Sequence, residues 1–295
     1  MNSPTIEPHK AKRGEQTTLI GIFVNVALVL VKGIAGWLGN SYALIADAME
    51  SATDIVTSFF VWLGLRTASK APDEDHPYGH GKAEPLAAIV VALALVGAAI
   101  LIAVQSIQNI RVPHEVPAPF TLAVLAGVVV VKEVLFRRIA KVGDEVDSSA
   151  VKADAWHHRS DAITSLTAFA GISIALIGGP GYESADDWAA LLASGVIVYN
   201  AYHIFRPSFG EIMDETPAGD WEAELKSIAM TVPQVMDIEK FRVRKTGFEY
   251  FIDLHVIVPG DLTVSQGHAI AHAVKNAILE AKPAVYDVLV HIEPA

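Results

Sequence analysis

Two pairs of ionisable residues, Glu50-x-x-x-Asp54 and His157-x-x-x-Asp161, each sit inside a long apolar run. A spacing of four sets both members of a pair on one helix face. Ionisable groups in hydrocarbon are costly and mark functional sites by default. Brought together, the two pairs offer four nitrogen and oxygen ligands, which suits a divalent metal held tetrahedrally. The chain has no cysteine, so disulfides, thiolate sites and thiol catalysis are excluded. Any metal here is bound by imidazole and carboxylate.

The elements that must position these pairs are membrane spans. Hydrophobic residues make up 52% of the 295. Runs near 17–39, 42–65, 84–110, 118–140, 151–178 and 186–206 are each long enough for a bilayer, which takes about 20 apolar residues. The polar start, Met1 to Gln16, lacks a signal-peptide pattern, so the first run is expected to be retained. Residues 209–295 mix charge with short apolar alternation and carry no spanning run. The predicted fold is thus a polytopic α-helical membrane protein: six transmembrane helices in residues 1–208, then a small α+β cytoplasmic domain in 209–295. In that domain Trp221–Thr231 and Thr263–Ala281 read as helices. Asp237–Arg244, Glu249–Val258 and Val285–Ile292 read as strands. The order suits a two-layer ferredoxin-like fold.

Charge orients the chain. Lys10, Lys12 and Arg13 precede the first span, Arg66, Lys70 and Lys82 lie between the second and third, and Arg137, Arg138, Lys141 and Lys152 between the fourth and fifth. Arg206 follows the sixth, while Arg111 stands alone on the other side. The positive-inside rule puts both termini and the terminal domain in the cytoplasm. A net charge of −11 argues against a nucleic-acid partner.

With that orientation the two pairs can meet. Counting about 1.5 Å per residue from the span ends, Glu50 lies roughly 14 Å deep from the outer face and Asp54 roughly 20 Å. His157 and Asp161 lie roughly 9 and 15 Å above the inner face. In a core about 30 Å thick, Glu50 levels with Asp161 and Asp54 with His157. His158, three residues from Asp161, is the alternative imidazole. Asp47 and Asp154 extend the two polar faces, either lining the path or capping solvated helix ends. Lys32 and Lys132 also fall in apolar runs; snorkelling or an interhelix partner accounts for them, and neither is given a role in metal binding.

Three motifs carry a family resemblance: Ser41-Tyr-Ala-Leu-Ile-Ala-Asp47-Ala-Met-Glu50-Ser-Ala-Thr-Asp54, Lys152-Ala-Asp-Ala-Trp-His157-His-Arg-Ser-Asp161 and Asp73-Glu-Asp-His76-Pro-Tyr-Gly-His80-Gly-Lys82-Ala-Glu84. With six spans and a terminal domain, the chain resembles the cation diffusion facilitator family of metal exporters over nearly its whole length. The resemblance implies a homodimeric, proton-coupled antiporter in the inner (cytoplasmic) membrane, not an enzyme, with no prosthetic group. Its implied substrate is a divalent metal, Zn²⁺ first, with Fe²⁺, Cd²⁺ and Co²⁺ as alternatives. It also implies a transport site of Glu50, Asp54, His157 and Asp161, and a loop site of Asp73, His76 and His80. Cytoplasmic-domain ligands would be drawn from Glu239, His255, His268, His291 and Glu293, and a structural Lys82–Asp214 pair is implied. Glu50 stands where the family usually has Asp or His, and Glu293 where some relatives have Asp. The imidazole in the fifth span argues against the manganese branch. Nothing matches G-x-x-x-x-G-K-[ST], which disfavours an ATP-driven pump. Two rivals from other classes are a metal-sensing membrane scaffold and a metal-dependent hydrolase.

Overall fold

A computed structural model describes residues 8–38, 42–111, 119–179, 181–182 and 184–295. In hydrocarbon every backbone polar group needs a partner within the chain, which forces apolar runs into helices. Six form: α1 (Pro8–Leu38), α2 (Tyr42–Ala68), α3 (Ala83–Arg111), α4 (Thr121–Val146), α5 (Ser149–Gly178) and α6 (Ala185–Ile212). The shortest has 26 residues, about 39 Å of helix, which exceeds a core of about 30 Å. Among the described residues, Lys12–Ile34, Ala83–Arg111 and Ser149–Gly178 are long and apolar enough to cross a membrane by themselves. Large apolar side chains such as Phe23, Leu30, Leu93, Leu101 and Leu192 point away from the bundle, where lipid would cover them.

The first helix starts earlier than its apolar run. Good helix formers between Lys10 and Gln16 carry it out of the hydrocarbon. Arg13 in that extension pairs with Glu145 near the end of α4 at 2.5 Å.

The fifth helix is central and packs against all the other five. Its buried face is made small by Ala150, Ala153, Ala155, Ser160 and Ala162, so neighbouring backbones approach closely. The connection from α4 is tight: Asp147 closes α4 in the left-handed conformation, and α5 starts two residues later. Ser148 Oγ accepts the Val151 N–H at 3.1 Å and donates to Glu84 Oε1 of α3 at 2.7 Å. The Ala150 N–H also donates to Glu84 Oε1, at 2.8 Å. The start of α5 is thereby pinned to α3.

Beyond α6 come α7 (Trp221–Ala229), β1 (Asp237–Thr246), β2 (Glu249–Val258), α8 (Val264–Ala281) and β3 (Val285–Pro294). The predicted order holds, with β1 and β3 each two residues longer than the alternation suggested. The sheet runs β1-β2-β3, antiparallel between the first two and parallel between the last two. Thr263 caps α8 with a reciprocal capping box: its hydroxyl accepts from the Gln266 N–H, and Gln266 Oε1 accepts from the Thr263 N–H. Leu225, Ile252, Leu254, Val256, Val274 and Ile278 form a separate core there.

The two halves meet backbone to backbone. A Cβ on Gly81, just before α3, would stand 2.5 Å from the Thr246 carbonyl oxygen. Gly247, at φ +63°, opens the two-residue turn between β1 and β2 and gives its N–H to Glu211 Oε1 at 2.7 Å. Gly81→Ala is therefore expected to cost about 1–3 kcal/mol. A fall in melting temperature of the full chain, absent for alanine at the open Gly97 position, checks this.

Candidate metal centre

The paired spacings bring their residues together inside the bundle. Asp54 Oδ1 of α2 lies 3.0 Å from His157 Nε2 of α5, and that nitrogen lies 4.0 Å from Asp161 Oδ2. One ligand atom from each of Asp54, His157 and Asp161 falls within 4.8 Å of the others. Asp54 and His157 are only 4% and 6% exposed, and Asp161 is partly exposed. Thr57 supports it, its hydroxyl donating to the Asp54 carbonyl at 2.8 Å and standing 3.4 Å from His157 Nε2. Glu50 lies one helical turn before Asp54 on α2, and its side chain lies outside the described residues. So does that of Asp47.

The choice between the two imidazoles is one of rotation. Successive residues on a helix point about 100° apart, and His157 is the one that faces Asp54. His158 is wholly buried, its Nε2 toward Gly21, where a Cβ would stand 3.2 Å away, and its Nδ1 4.0 Å from Asp161 Oδ2. Asp154 is not a solvated helix end: it is 1% exposed and accepts from the Ser58 hydroxyl at 2.7 Å.

One member of the cluster departs from the expectation set by sequence. Lys132 of α4 does not snorkel; it is 0% exposed. Its ammonium donates to Asp161 Oδ2 at 2.7 Å, Asp54 Oδ2 at 3.1 Å and Asn25 Oδ1 of α1 at 2.9 Å. Three donors thus meet three acceptors. Lys32 does not snorkel either, being buried and donating to Ser51 Oγ at 2.8 Å.

Two further clusters lie outside the spans. In the turn before α3, Asp73 Oδ1 accepts the His76 N–H at 2.7 Å and lies 3.0 Å from His76 Nδ1. His80 Nε2 is 3.4 Å from Asp73 Oδ2, and the two imidazole rings are 4.4 Å apart. The hydrogen bonds from His76 hold the Asp73 carboxyl below its ordinary range. Beside this turn Lys82 reaches Asp214 Oδ1 at 3.0 Å, the expected partner.

In the sheet, parallel pairing sets His255 opposite His291 and Ile257 opposite Glu293, so His255, His291 and Glu293 share a face. His255 Nδ1 is 2.5 Å from Glu293 Oε1, and its ring centroid is 4.9 Å from that of His291. A bulge between Ile238 and Lys240 leaves Glu239 as the extra residue. The neighbouring Glu293 carboxyl raises the Glu239 carboxyl above its usual range, while Glu239 and His255 beside it lower that of Glu293. His268 is not part of this cluster within one protomer; it lies on the exposed face of α8 against the ring of His272, 4.5 Å away. Two adjoining carboxyls and two imidazoles favour a cation. Glu293→Gln is thus expected to leave the metal-free melting temperature within about 2 °C. The rise that Zn²⁺ brings in the native chain should shrink by the share that the sheet cluster contributes, as read by differential scanning fluorimetry.

Carboxylates and imidazoles gathered between apolar helices, with further such clusters outside the bundle, are groups that could hold metal cations in a membrane protein. The chain belongs to the cation diffusion facilitator family: residues 18–213 match the cation efflux transmembrane domain and residues 217–295 the cytoplasmic domain of cation efflux proteins. It is a membrane transporter of divalent metal cations with a terminal cytoplasmic domain. It is 32% identical over 283 residues to the manganese efflux system protein MneP of Bacillus subtilis strain 168, covering 95% of each chain. It is 30% identical over 272 residues to the magnetosome protein MamB of Paramagnetospirillum magneticum, covering 92% of this chain and 91% of that one. Among solved structures, a MamM C-terminal domain is 26% identical, covers 25% of this chain and 92% of that chain, and gives a TM-score of 0.24.

Proposed function

We propose that this transporter works as a homodimer that exports Zn²⁺ from the cytoplasm in exchange for protons, through a site made of Glu50, Asp54, His157 and Asp161. The observation that carries the reading is the largely buried cluster of Asp54, His157 and Asp161, supplied by two helices of the bundle. Nitrogen and oxygen ligands at this density suit Zn²⁺, and Fe²⁺, Cd²⁺ and Co²⁺ are accepted by the same donor types. Imidazole binds metal only when neutral, so protons and metal compete for His157, which supports coupling of the two fluxes. The balance of Lys and Arg supports an inner-membrane protein with both termini in the cytoplasm. The Asp73, His76 and His80 cluster then lies at the inner mouth. The Glu239, His255, His291 and Glu293 cluster, with His268 on α8, serves as a cytoplasmic metal sensor.

Manganese is the second reading. What favours it is the manganese efflux role that MneP's name carries, at 32% identity over nearly the whole of both chains.

The test is metal flux into proteoliposomes under an imposed pH gradient, with Zn²⁺ and Mn²⁺ offered separately. Zn²⁺ flux that follows the gradient and vanishes in Asp54→Ala is the expected result. Flux of Mn²⁺ alone would move the substrate assignment. Equal flux in both chains would sink the site, and no flux of any metal would favour a membrane scaffold.

A further inference from the structure

The Lys132 ammonium stands where a cation would be bound. It enters from α4, whereas Asp54 and Asp161 come from α2 and α5, and it closes on Oδ2 of both. Asp161 Oδ2 is also the oxygen nearest His157 Nε2 within that residue pair, at 4.0 Å. One oxygen therefore serves both the ammonium and the proposed ligand set. A metal held by these ligands sits about 2 Å from each donor atom. It would then lie within a few ångströms of Lys132 Nζ, which is itself wholly buried. Two cations cannot share that space at ordinary cost.

We propose that Lys132 is a tethered cation that fills the transport site when metal is absent, and that incoming metal displaces it. The inference rests on the site reading above and adds a residue that sets metal affinity. The ammonium neutralises buried carboxylates while the site is empty of metal, so the empty carrier does not present bare negative charge to hydrocarbon. Asn25 holds the third hydrogen of the ammonium from the α1 side. Asp154 Oδ2, buried and without a hydrogen-bond partner among the described residues, offers a countercharge nearer the cytoplasm for the displaced group. A metal that binds carboxylate and imidazole tightly can evict the lysine, whereas a weakly held ion cannot. The lysine therefore sets a threshold of affinity.

Direct binding to the full-length chain in detergent tests this. The component of the Zn²⁺ isotherm that disappears in Asp54→Asn is the transport-site component. In Lys132→Gln that component is expected to tighten tenfold or more, because its internal competitor is gone. The metal-free melting temperature of Lys132→Gln should fall, and saturating Zn²⁺ should restore it, since metal and ammonium are interchangeable occupants. A variant that folds only when prepared with Zn²⁺ supports the exchange equally. Unchanged or weaker affinity overturns the proposal, as does a loss of stability that Zn²⁺ does not repair, because Lys132 would then be structural glue. If Asp54→Asn removes no component at all, the transport-site reading itself fails and the inference falls with it.

Discussion

Asp54→Asn is expected to lower metal flux about 100-fold or more while leaving the protein folded. The substitution keeps the shape of the side chain and removes its charge. His157 Nε2 loses the carboxylate oxygen at 3.0 Å, and the divalent ion loses one of two described anionic ligands. Changes even to the outer shell of a metal site cost about 10–100-fold, so a direct ligand costs at least that. Stability follows a different rule. Lys132 keeps Asp161 at 2.7 Å, so the buried ammonium is not left without a countercharge. Among the described groups, one carboxylate then faces one ammonium, and the melting temperature should move by only a few degrees. Removing the lysine instead would strip Asp161 and Asp54 of their shared ammonium, leaving Asp54 only its contact with His157, the kind of change that costs about 3–5 kcal/mol. Flux in proteoliposomes and melting temperature, measured on the same preparation, separate loss of a ligand from loss of the fold. A large drop in melting temperature for Asp54→Asn would show that the carboxylate is structural first.

What was legible in the sequence was the part governed by period and length. Six apolar runs gave six helices, and the spacing of four in His157-x-x-x-Asp161 gave a shared face. The depths counted from span ends bring Asp54 level with His157, and their side chains touch. The same arithmetic places Lys132 roughly 9 Å above the inner face, level with His157. Depth alone therefore pointed to Lys132. The default expectation for a long cationic side chain, that it bends toward water, overrode that signal. Rotation about the helix axis decides the matter, and a nearly uniform apolar run carries little information about rotation. For the same reason spacing alone does not choose between His157 and His158. In the cytoplasmic domain alternation gave the strands, but the bulge that singles out Glu239 depends on pairing with β2, which alternation in one strand does not reveal. The contact of Gly81 with Thr246 joins residues 165 positions apart in sequence, beyond the reach of any local pattern.

Glu84 shows how such a long-range contact reaches the proposed transport site. It lies in the first turn of α3, wholly buried, and its Oε1 accepts from both the Ser148 hydroxyl and the Ala150 N–H. These are the groups at the start of α5, the helix that carries His157 and Asp161. Glu84→Leu leaves a hydroxyl and an amide buried without their partner. At about 1–3 kcal/mol for each unsatisfied group, the expected loss is roughly 3 kcal/mol. For a chain of this size that corresponds to a fall of about 6–12 °C in melting temperature. Glu84→Gln keeps one acceptor oxygen and should lose less than half of that. Flux should follow the same order, native above Gln above Leu, because a loosened start lets α5 turn its ligand pair away from Asp54.

The joint also runs to the cytoplasmic domain. Burial acts to lower the Lys245 ammonium of β1, but Glu84, Glu211 and Asp147 around it hold it above the ordinary lysine range. Lys245 also donates to the Asp147 carbonyl at 2.8 Å, at the end of α4. Strand β1 therefore carries Glu239 near one end and Lys245 near the other. One strand thus joins the sheet cluster to the turn before α5, and whether a cation at Glu239 and Glu293 is felt at α5 is a question for mutation. Lys245→Met is the companion variant: it spares the hydrogen bonds from Ser148 and Ala150 to Glu84 and removes the ammonium together with its contacts to Asp147. If the path is used, it should lower flux while α5 stays capped, and Zn²⁺ at the sheet cluster should no longer change the rate. A rate that still responds to Zn²⁺ at that cluster in Lys245→Met would mean that the two halves communicate elsewhere, with Lys82–Asp214 the next contact to cut.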